Sequence, residues 1–412
     1  MKGSLSSGAM RDDDPRQSRI RAGTRAFKQT NRALFLGGFS TFALLYCVQP
    51  LMPLFSGEFH LTPVQSSWSL SASTATLAAA LLFASALSDS VGRKPLMCLA
   101  LSASAVMTVL CALVQDYAQL LVIRALLGIA LAGLPAVAMA YLGEEIDPPS
   151  LGYSMGLYIG GSAFGGMTGR VLTSIMSDFL SWRVAFAAIG IAGVAAALEF
   201  WRILPPSRHF RRSELNFGSI VQGLRGHFRD DGLPWFFCIA FLLMGCFVSV
   251  YNYISYHLMG PRFGLSQTIV SGIFLMYLMG IFSSVWTGKL ADRFGRRGVL
   301  WIVIAIMLAG LLLTLANSLF LIVLGIALFT YGFFGGHSVA SSWVGRRARP
   351  PQALASALYL FFYYLGSSVI GSLSGVMLND WGWPGVVAML GVCLCVSLLV
   401  AVRLRKLAPV VA

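Results

Sequence analysis

Three side chains in this sequence could hold or move charge inside an apolar setting: Arg124, Arg170 and His337. Arg124 lies in the run Leu120-Leu-Val-Ile-Arg-Ala-Leu-Leu-Gly-Ile-Ala-Leu131. A guanidinium there is costly unless it is paired or faces water, so a coupling or substrate role is expected, with snorkelling to an interface as the alternative. Arg170 is read the same way, although it stands closer to the end of its run, where snorkelling is easier. His337, about a turn inside the end of its run, has an ordinary pKa near neutrality, which suits proton coupling; a packed neutral histidine is the alternative. Tyr46, Gln49, Tyr158, Asn252, Tyr363 and Tyr364 could line a solute cavity, although such groups more often bridge helices. No Asp or Glu falls near the middle of any apolar run, so a proton would need His337 or helix-end acids such as Asp89 and Glu144. A cationic site without a deep acid suits an anion, a carboxylate or a hydroxyl-rich neutral solute.

A second kind of chemistry is duplicated. Ser85-Ala-Leu-Ser-Asp89-Ser-Val-Gly92-Arg93-Lys94 recurs as Gly288-Lys-Leu-Ala-Asp292-Arg293-Phe-Gly295-Arg296-Arg297, half the chain away. Glycine at 92 and 295 permits a tight reversal between helices. The aspartate can accept from nearby helix N-termini, and the arginines can anchor to anionic headgroups. Such a charged turn could act as a conformational latch; a purely topogenic hairpin is the plainer alternative, and Ser90 weakens the first copy.

These groups need elements to hold them. The chain is 57% hydrophobic and 11% charged over 412 residues, too little polar surface for a water-soluble protein of this size. Twelve apolar runs of bilayer-crossing length are expected near 32–55, 64–87, 95–114, 118–142, 153–177, 183–204, 234–258, 267–290, 298–316, 318–342, 353–377 and 384–402. The division that follows is a disordered basic tail (1–31), a six-helix bundle (32–204), a linker (205–233), a second six-helix bundle (234–402) and a short tail (403–412). Within the linker, Phe217, Ile220, Val221, Leu224 and Phe228 recur at helical spacing, as in an amphipathic helix on the membrane surface or a plain linker helix.

Arg and Lys crowd the tails and alternate breaks, while the other breaks hold only Arg183 and Arg262, which places both termini in the cytoplasm. The net charge of +14 is then an insertion signal and not a nucleic-acid footprint. Pro50, Pro53 and Pro135 are expected to bend the first and fourth spans. Gly156, Gly160, Gly165 and Gly169, echoed by Gly366, Gly371 and Gly375, suggest close helix packing. The seven cysteines form no metal-ligand spacing with a histidine.

The two charged turns resemble the motif of the major facilitator superfamily between spans 2 and 3, complete in the second copy. Arg124-Ala-Leu-Leu-Gly128 resembles that family's span 4 motif. Gly161-Ser-Ala-Phe-Gly165-Gly166 resembles its span 5 antiporter motif, with Ser162 where proline is usual. More narrowly, Thr41-Phe-Ala-Leu-Leu-Tyr-Cys-Val-Gln-Pro50, Gly156-Leu-Tyr-Ile159, Gly165-Gly-Met-Thr-Gly-Arg170, His337-Ser-Val-Ala-Ser-Ser342 and Tyr363-Tyr-Leu-Gly-Ser-Ser368 resemble bacterial YnfM-type inner-membrane transporters. The resemblance implies an all-α membrane protein of two six-helix bundles in the inner membrane. It also implies a secondary transporter that exports a small organic solute, such as a sugar or drug-like compound, against proton entry.

Proton-coupled uptake is the rival within transport, and a non-transporting receptor or scaffold is the rival outside it. No nucleotide-binding stretch, metal pattern or activated nucleophile supports ATP-driven transport or an enzyme, and no cofactor is expected. One chain holds a complete pathway, so a functional monomer is expected, with protons, a small solute and lipid as its partners.

Overall fold

The computed structural model describes residues 19–210, 217–348 and 352–407, and among them it is built from helices and has no strand. Ten helices among the described residues are long and apolar enough to cross a membrane. The first is broken: α1 (Arg25–Tyr46) gives way to a 3-10 turn (Gln49–Leu51) and α2 (Met52–Glu58). Pro50 and Pro53, which cannot donate to a continuing helix, sit at this break as expected. Next come α3 (Pro63–Val91), α4 (Arg93–Cys111), α5 (Tyr117–Leu131) and α6 (Pro135–Glu145), with Pro135 opening α6. The helices α7 (Pro148–Phe179) and α8 (Trp182–Ile203) complete the first half.

In the linker, α9 (Phe217–Phe228) forms where helical spacing predicts it. Its Phe228 ring meets Phe237 and Phe362 edge-on. The Phe217, Ile220 and Val221 side chains lie outside the described residues.

The second half holds α10 (Leu233–Met259), α11 (Gln267–Ser271), a 3-10 turn (Gly272–Met276), α12 (Tyr277–Phe294), α13 (Arg296–Leu313), α14 (Leu319–Arg347) and α15 (Gln352–Leu404). At 53 residues α15 is longer than any bilayer needs, and Gly382 (φ 62°) followed by Pro384 divides it into two arms.

Helix starts follow side-chain chemistry. Thr24, Thr62, Asp116, Ser181 and Ser266 each accept a backbone N–H of the helix they precede, and Thr62 with Gln65 forms a capping box. The Thr24 cap starts α1 seven residues before the expected boundary. Residues 1–18 of the expected disordered tail lie outside the described residues. The remainder is not free chain: Ile20 N donates to the Glu145 carbonyl at 2.8 Å, and Asp147 N donates back to the Ile20 carbonyl at 3.1 Å.

The glycine ladder is real but shifted. A Cβ on Gly161, Gly165 or Gly169 would strike the α1 backbone at Phe35, Phe39 and Ala43, at 2.5, 2.0 and 2.7 Å. Gly156 and Gly160 face open space, so the packing face of α7 is one residue out of phase with the expected start of the ladder. In the second half, a Cβ on Gly366 would strike the Phe241 carbonyl at 2.0 Å, repeating the α1–α7 relation between α10 and α15, while one on Gly371 would make only ordinary contact.

The halves touch along α3 with α15 and along α7 with α11. Far from the charged turns, Ser56 Oγ and the Tyr256 hydroxyl lie 2.7 Å apart, and Thr268 N and Oγ1 donate to Asp178 at 3.1 and 2.6 Å. Gln267 Nε2 donates to the Pro50 carbonyl at 3.1 Å, and Ser174 Oγ to the Gln267 carbonyl at 3.0 Å. The contact nearest the charged turns is Thr74 Oγ1 with Ser368 Oγ at 2.7 Å. Among the described residues, no hydrogen bond or ion pair joins the halves beyond it on that side. Among the described residues, the bonds that tie the halves together therefore lie toward one end of the molecule, away from Asp89 and Asp292.

Candidate functional site

Arg170 lies where the closed end begins, and the residue is 1% exposed. Its Nε donates to Gln49 Oε1 at 2.5 Å and Nη1 to the Gly166 carbonyl at 2.7 Å. Gln49 Nε2 donates in turn to Asn252 Oδ1 at 2.6 Å, so the chain of polar groups crosses from one half to the other. Arginine can only donate, which fixes which way both amides point. The break after Tyr46 is what presents Gln49 side-on to α7 and α10.

The faces of the guanidinium are covered by rings. Its carbon is 4.1 Å from the Tyr46 ring centre and 4.7 Å from that of Tyr277, with Phe274 at 5.7 Å. Nη2 of Arg170 and Nδ2 of Asn252 have no hydrogen-bond partner among the described residues. Both are donors.

An aromatic series leads away from this point. Tyr277 meets Phe334 (5.7 Å), Phe334 meets Phe333 (5.2 Å), and Phe333 meets Tyr363 (6.3 Å). Tyr363 lies 4.7 Å from the His337 ring and 5.1 Å from Tyr364. His337 Nδ1 is 3.0 Å from the Tyr359 hydroxyl. Tyr158 is buried against α1, beside Gly38, and its hydroxyl has no partner among the described residues.

Arg124 is not brought to this cluster. It is fully buried, with Nε donating to Ser69 O (2.9 Å), Nη1 to Leu44 O (3.1 Å) and Nη2 to Leu45 O (2.5 Å). Leu44 and Leu45 are in the last turn of α1, whose carbonyls carry the negative end of the helix dipole. Arg124 thus faces a helix end and not the Arg170 cluster. Its donors are spent on backbone carbonyls, where they pin the broken end of α1 to α3 and α5.

A profile for the Major Facilitator Superfamily matches residues 34–344 and 263–411, nearly the whole chain. The chain belongs to the Major Facilitator Superfamily. It is 49% identical over 379 residues to the MFS-type transporter YybF of Bacillus subtilis, covering 92% of this chain and 94% of that one. It is 48% identical over 387 residues to the inner membrane transport protein YnfM of Escherichia coli, covering 94% and 93%. Among solved structures it is similar to a bacterial homologue of the human lysosomal transporter Spinster, with a TM-score of 0.76 at 16% identity, covering 93% of this chain and 98% of that one. The nucleoside transporter NupG gives a TM-score of 0.75 at 16% identity, covering 92% and 100%. The protein is thus a multi-pass inner-membrane transporter of the major facilitator fold, not an enzyme.

In this major facilitator protein the two charged turns are unequal. Gly92 and Gly295 take φ of 109° and 81°, the left-handed region a tight reversal needs. In the first turn Arg93 is buried. It pairs with Asp89 at 2.6 Å and with Glu144 at 2.7 Å, and it also binds Ser88. Lys94 Nζ donates to the Leu204 carbonyl at 2.5 Å. In the second, Asp292 is 67% exposed, pairs with Arg296 at 3.1 Å and stands 4.0 Å from Arg346. Arg297 donates to the Leu407 carbonyl, Arg293 lies over Phe294, and no side chain approaches Gly288. The better sequence match makes the looser turn, because α6 ends in Glu144-Glu145 where α14 ends in Arg346-Arg347. Among the described residues, the ion pairs of each turn stay within its own half.

Three contributors escape the sequence reading. Tyr277 and Tyr359 are tyrosines in apolar runs, the same signal that singles out Tyr158; Tyr277 stacks on Arg170 and Tyr359 bonds His337. Glu145 is the third: its buried carboxylate accepts from Ser207 Oγ and from the backbone N–H groups of Arg208 and His209 at 2.6–2.9 Å, tying the linker to α6.

Proposed function

We propose that this chain is a twelve-span secondary transporter with both termini in the cytoplasm. It moves a small organic solute by rocking its halves about a central site and exports that solute against proton entry. The observation that carries the rocking mechanism is that, among the described residues, the inter-half hydrogen bonds lie away from the charged turns. A molecule held at one end and untied at the other is one of the two end states of alternating access. Twelve spans follow from adding the glycine-rich α7 to the apolar helices and taking the two arms of α15 separately. The cytoplasmic termini rest on the basic residues at the charged-turn end.

Export rests on the likeness of the span 5 stretch Gly161–Gly166 to the antiporter motif. Proton coupling is assigned to His337, whose ring is the titratable group of the aromatic series, with Asp89 and Glu144 at the untied end. Arg124 acts as a positioning residue that holds the α1 break, and hence Gln49 and Tyr46, in place. The charged turns act as a latch: their arginines are free to exchange partners when that end closes. A single chain supplies the whole pathway, so the monomer is the working unit.

The test is reconstitution into liposomes loaded with a pH-sensitive dye, with outward gradients of sugars, carboxylates, amino acids and cationic drugs. Proton entry that accompanies one solute class, and fails in His337→Gln, supports coupled export. Solute flux without any pH change would replace it with facilitated transport.

A further inference from the structure

Arg170 is built to receive something. Two of its three nitrogens are taken, by Gln49 Oε1 and the Gly166 carbonyl, and both faces are covered by Tyr46 and Tyr277. Only the Nη2 edge is left, and that nitrogen is buried with no partner among the described residues. No carboxylate pairs with Arg170 among the described residues, so its charge is balanced only by amide oxygens and ring faces. At the other end of the same hydrogen-bonded series, Asn252 offers a second buried donor, Nδ2, again without a partner among the described residues. The series Arg170–Gln49–Asn252 therefore ends in a donor on both sides and lacks an acceptor. A buried cation and a buried amide left in this condition are costly unless a ligand completes them.

We propose that the solute is an organic monocarboxylate whose carboxylate oxygen accepts end-on from Arg170 Nη2, with its body among Tyr46, Tyr277 and Phe274. This rests on the transport reading and names its substrate class. An acceptor is required because the two unpartnered groups, Arg170 Nη2 and Asn252 Nδ2, are both donors. A negative charge is required because Arg170 has no counter-ion. A single charge matches, because Arg170 is the only permanent cation at the junction: the donors of Arg124 are spent on carbonyls. A cationic solute would meet an uncompensated guanidinium, and a neutral one would leave it unbalanced. Tyr46 and Arg170 come from one half, and Asn252 and Tyr277 from the other. An anion there would engage both halves, and its departure would remove a tie between them.

The purified full-length protein in detergent can be tested by thermal unfolding and by equilibrium titration with acetate, lactate, benzoate and indole-3-acetate. The amide of each acid, benzylamine and phenyl phosphate serve as matched controls. The expected result is stabilisation by at least one monocarboxylate, with its amide and benzylamine silent and phenyl phosphate weaker. Arg170→Gln is expected to weaken that carboxylate at least about tenfold, and Arg170→Lys to retain part of it. If Arg170→Gln fails to fold, the Lys variant and the acid–amide comparison in the unaltered protein still decide. The inference is overturned if amides or benzylamine bind as well as the acids, or phenyl phosphate binds best. It is also overturned if Arg170→Gln binds the acid unchanged, or if no monocarboxylate binds a protein that unfolds in one sharp transition. Rocking is tested separately, by cross-linking the closed end. An overturned anion assignment with cross-link-sensitive transport would remove the substrate class alone, whereas carboxylate binding with cross-link-insensitive transport would remove the rocking mechanism.

Discussion

Arg170 and Asn252, on opposite halves of the molecule, are joined through one amide: that of Gln49, which accepts from the first at 2.5 Å and donates to the second at 2.6 Å. Replacing that amide by an apolar group strands a charged donor and a buried acceptor together. Gln49→Leu is expected to destabilise the protein by about 1–3 kcal/mol, as for loss of a buried hydrogen bond to a charged group. Gln49→Glu keeps the acceptor for Arg170 and lets the Asn252 amide turn to donate, so it should cost less. Thermal unfolding of the two variants in detergent checks the order.

The α1–α7 contact makes a position-specific prediction. Gly165→Ala would place a methyl against the Phe39 carbonyl, a backbone atom that cannot yield without moving the helix, whereas Gly160→Ala meets nothing. The first should cost about 1–3 kcal/mol by overpacking, and the second should be neutral or slightly stabilising through helix propensity. A comparison of their unfolding midpoints decides, and equal effects would mean that α7 packs in another phase.

The inequality of the charged turns predicts unequal mutational effects. Arg93→Ala leaves Glu144 without its bidentate partner and is expected to cost about 1–3 kcal/mol, below the fully buried figure because Asp89 is a third exposed. Arg296→Ala removes a pair whose carboxylate is mostly in water and should cost about 0–1 kcal/mol. Denaturation of both variants at low and high salt checks this, with salt affecting the second pair more.

Asp230 gives a pH dependence outside the membrane. Burial pushes its carboxyl up, but hydrogen bonds from Arg347 Nε and from the N–H groups of Leu233 and Gly232 outweigh this and hold it below the usual carboxylate range. A depressed pKa contributes stability above the unfolded value of about 3.9 and loses it as pH falls through the folded value. The stability gap between the natural protein and Asp230→Ala should stay level from pH 8 to about 5 and narrow below about 4. Unfolding midpoints across that range measure it.

Much of this architecture is legible from residues alone because lipid imposes its own length on each apolar run. The caps at Thr62, Asp116 and Ser181 and the bends at Pro50 and Pro135 stand where side-chain chemistry puts them. The break at 272–276 carries no proline and is invisible to that logic. The two deep arginines look alike in sequence, since both sit in apolar runs. What separates them is which neighbouring backbone is broken open to receive them, and that is decided by packing between distant segments. The glycines of α7 form two series of four-residue spacing, one residue out of phase, so spacing cannot say which face meets α1.

The central claim is that the halves rock and that the Ser56–Tyr256 end must open. At that end, Asp178→Cys combined with Thr268→Cys places two thiols where a hydroxyl now donates to a carboxylate at 2.6 Å across the halves. Solute flux in liposomes should fall to background when this pair is oxidised and recover on reduction, with each single variant unaffected by oxidant. Undiminished flux through the fully cross-linked protein would contradict alternating access at this end.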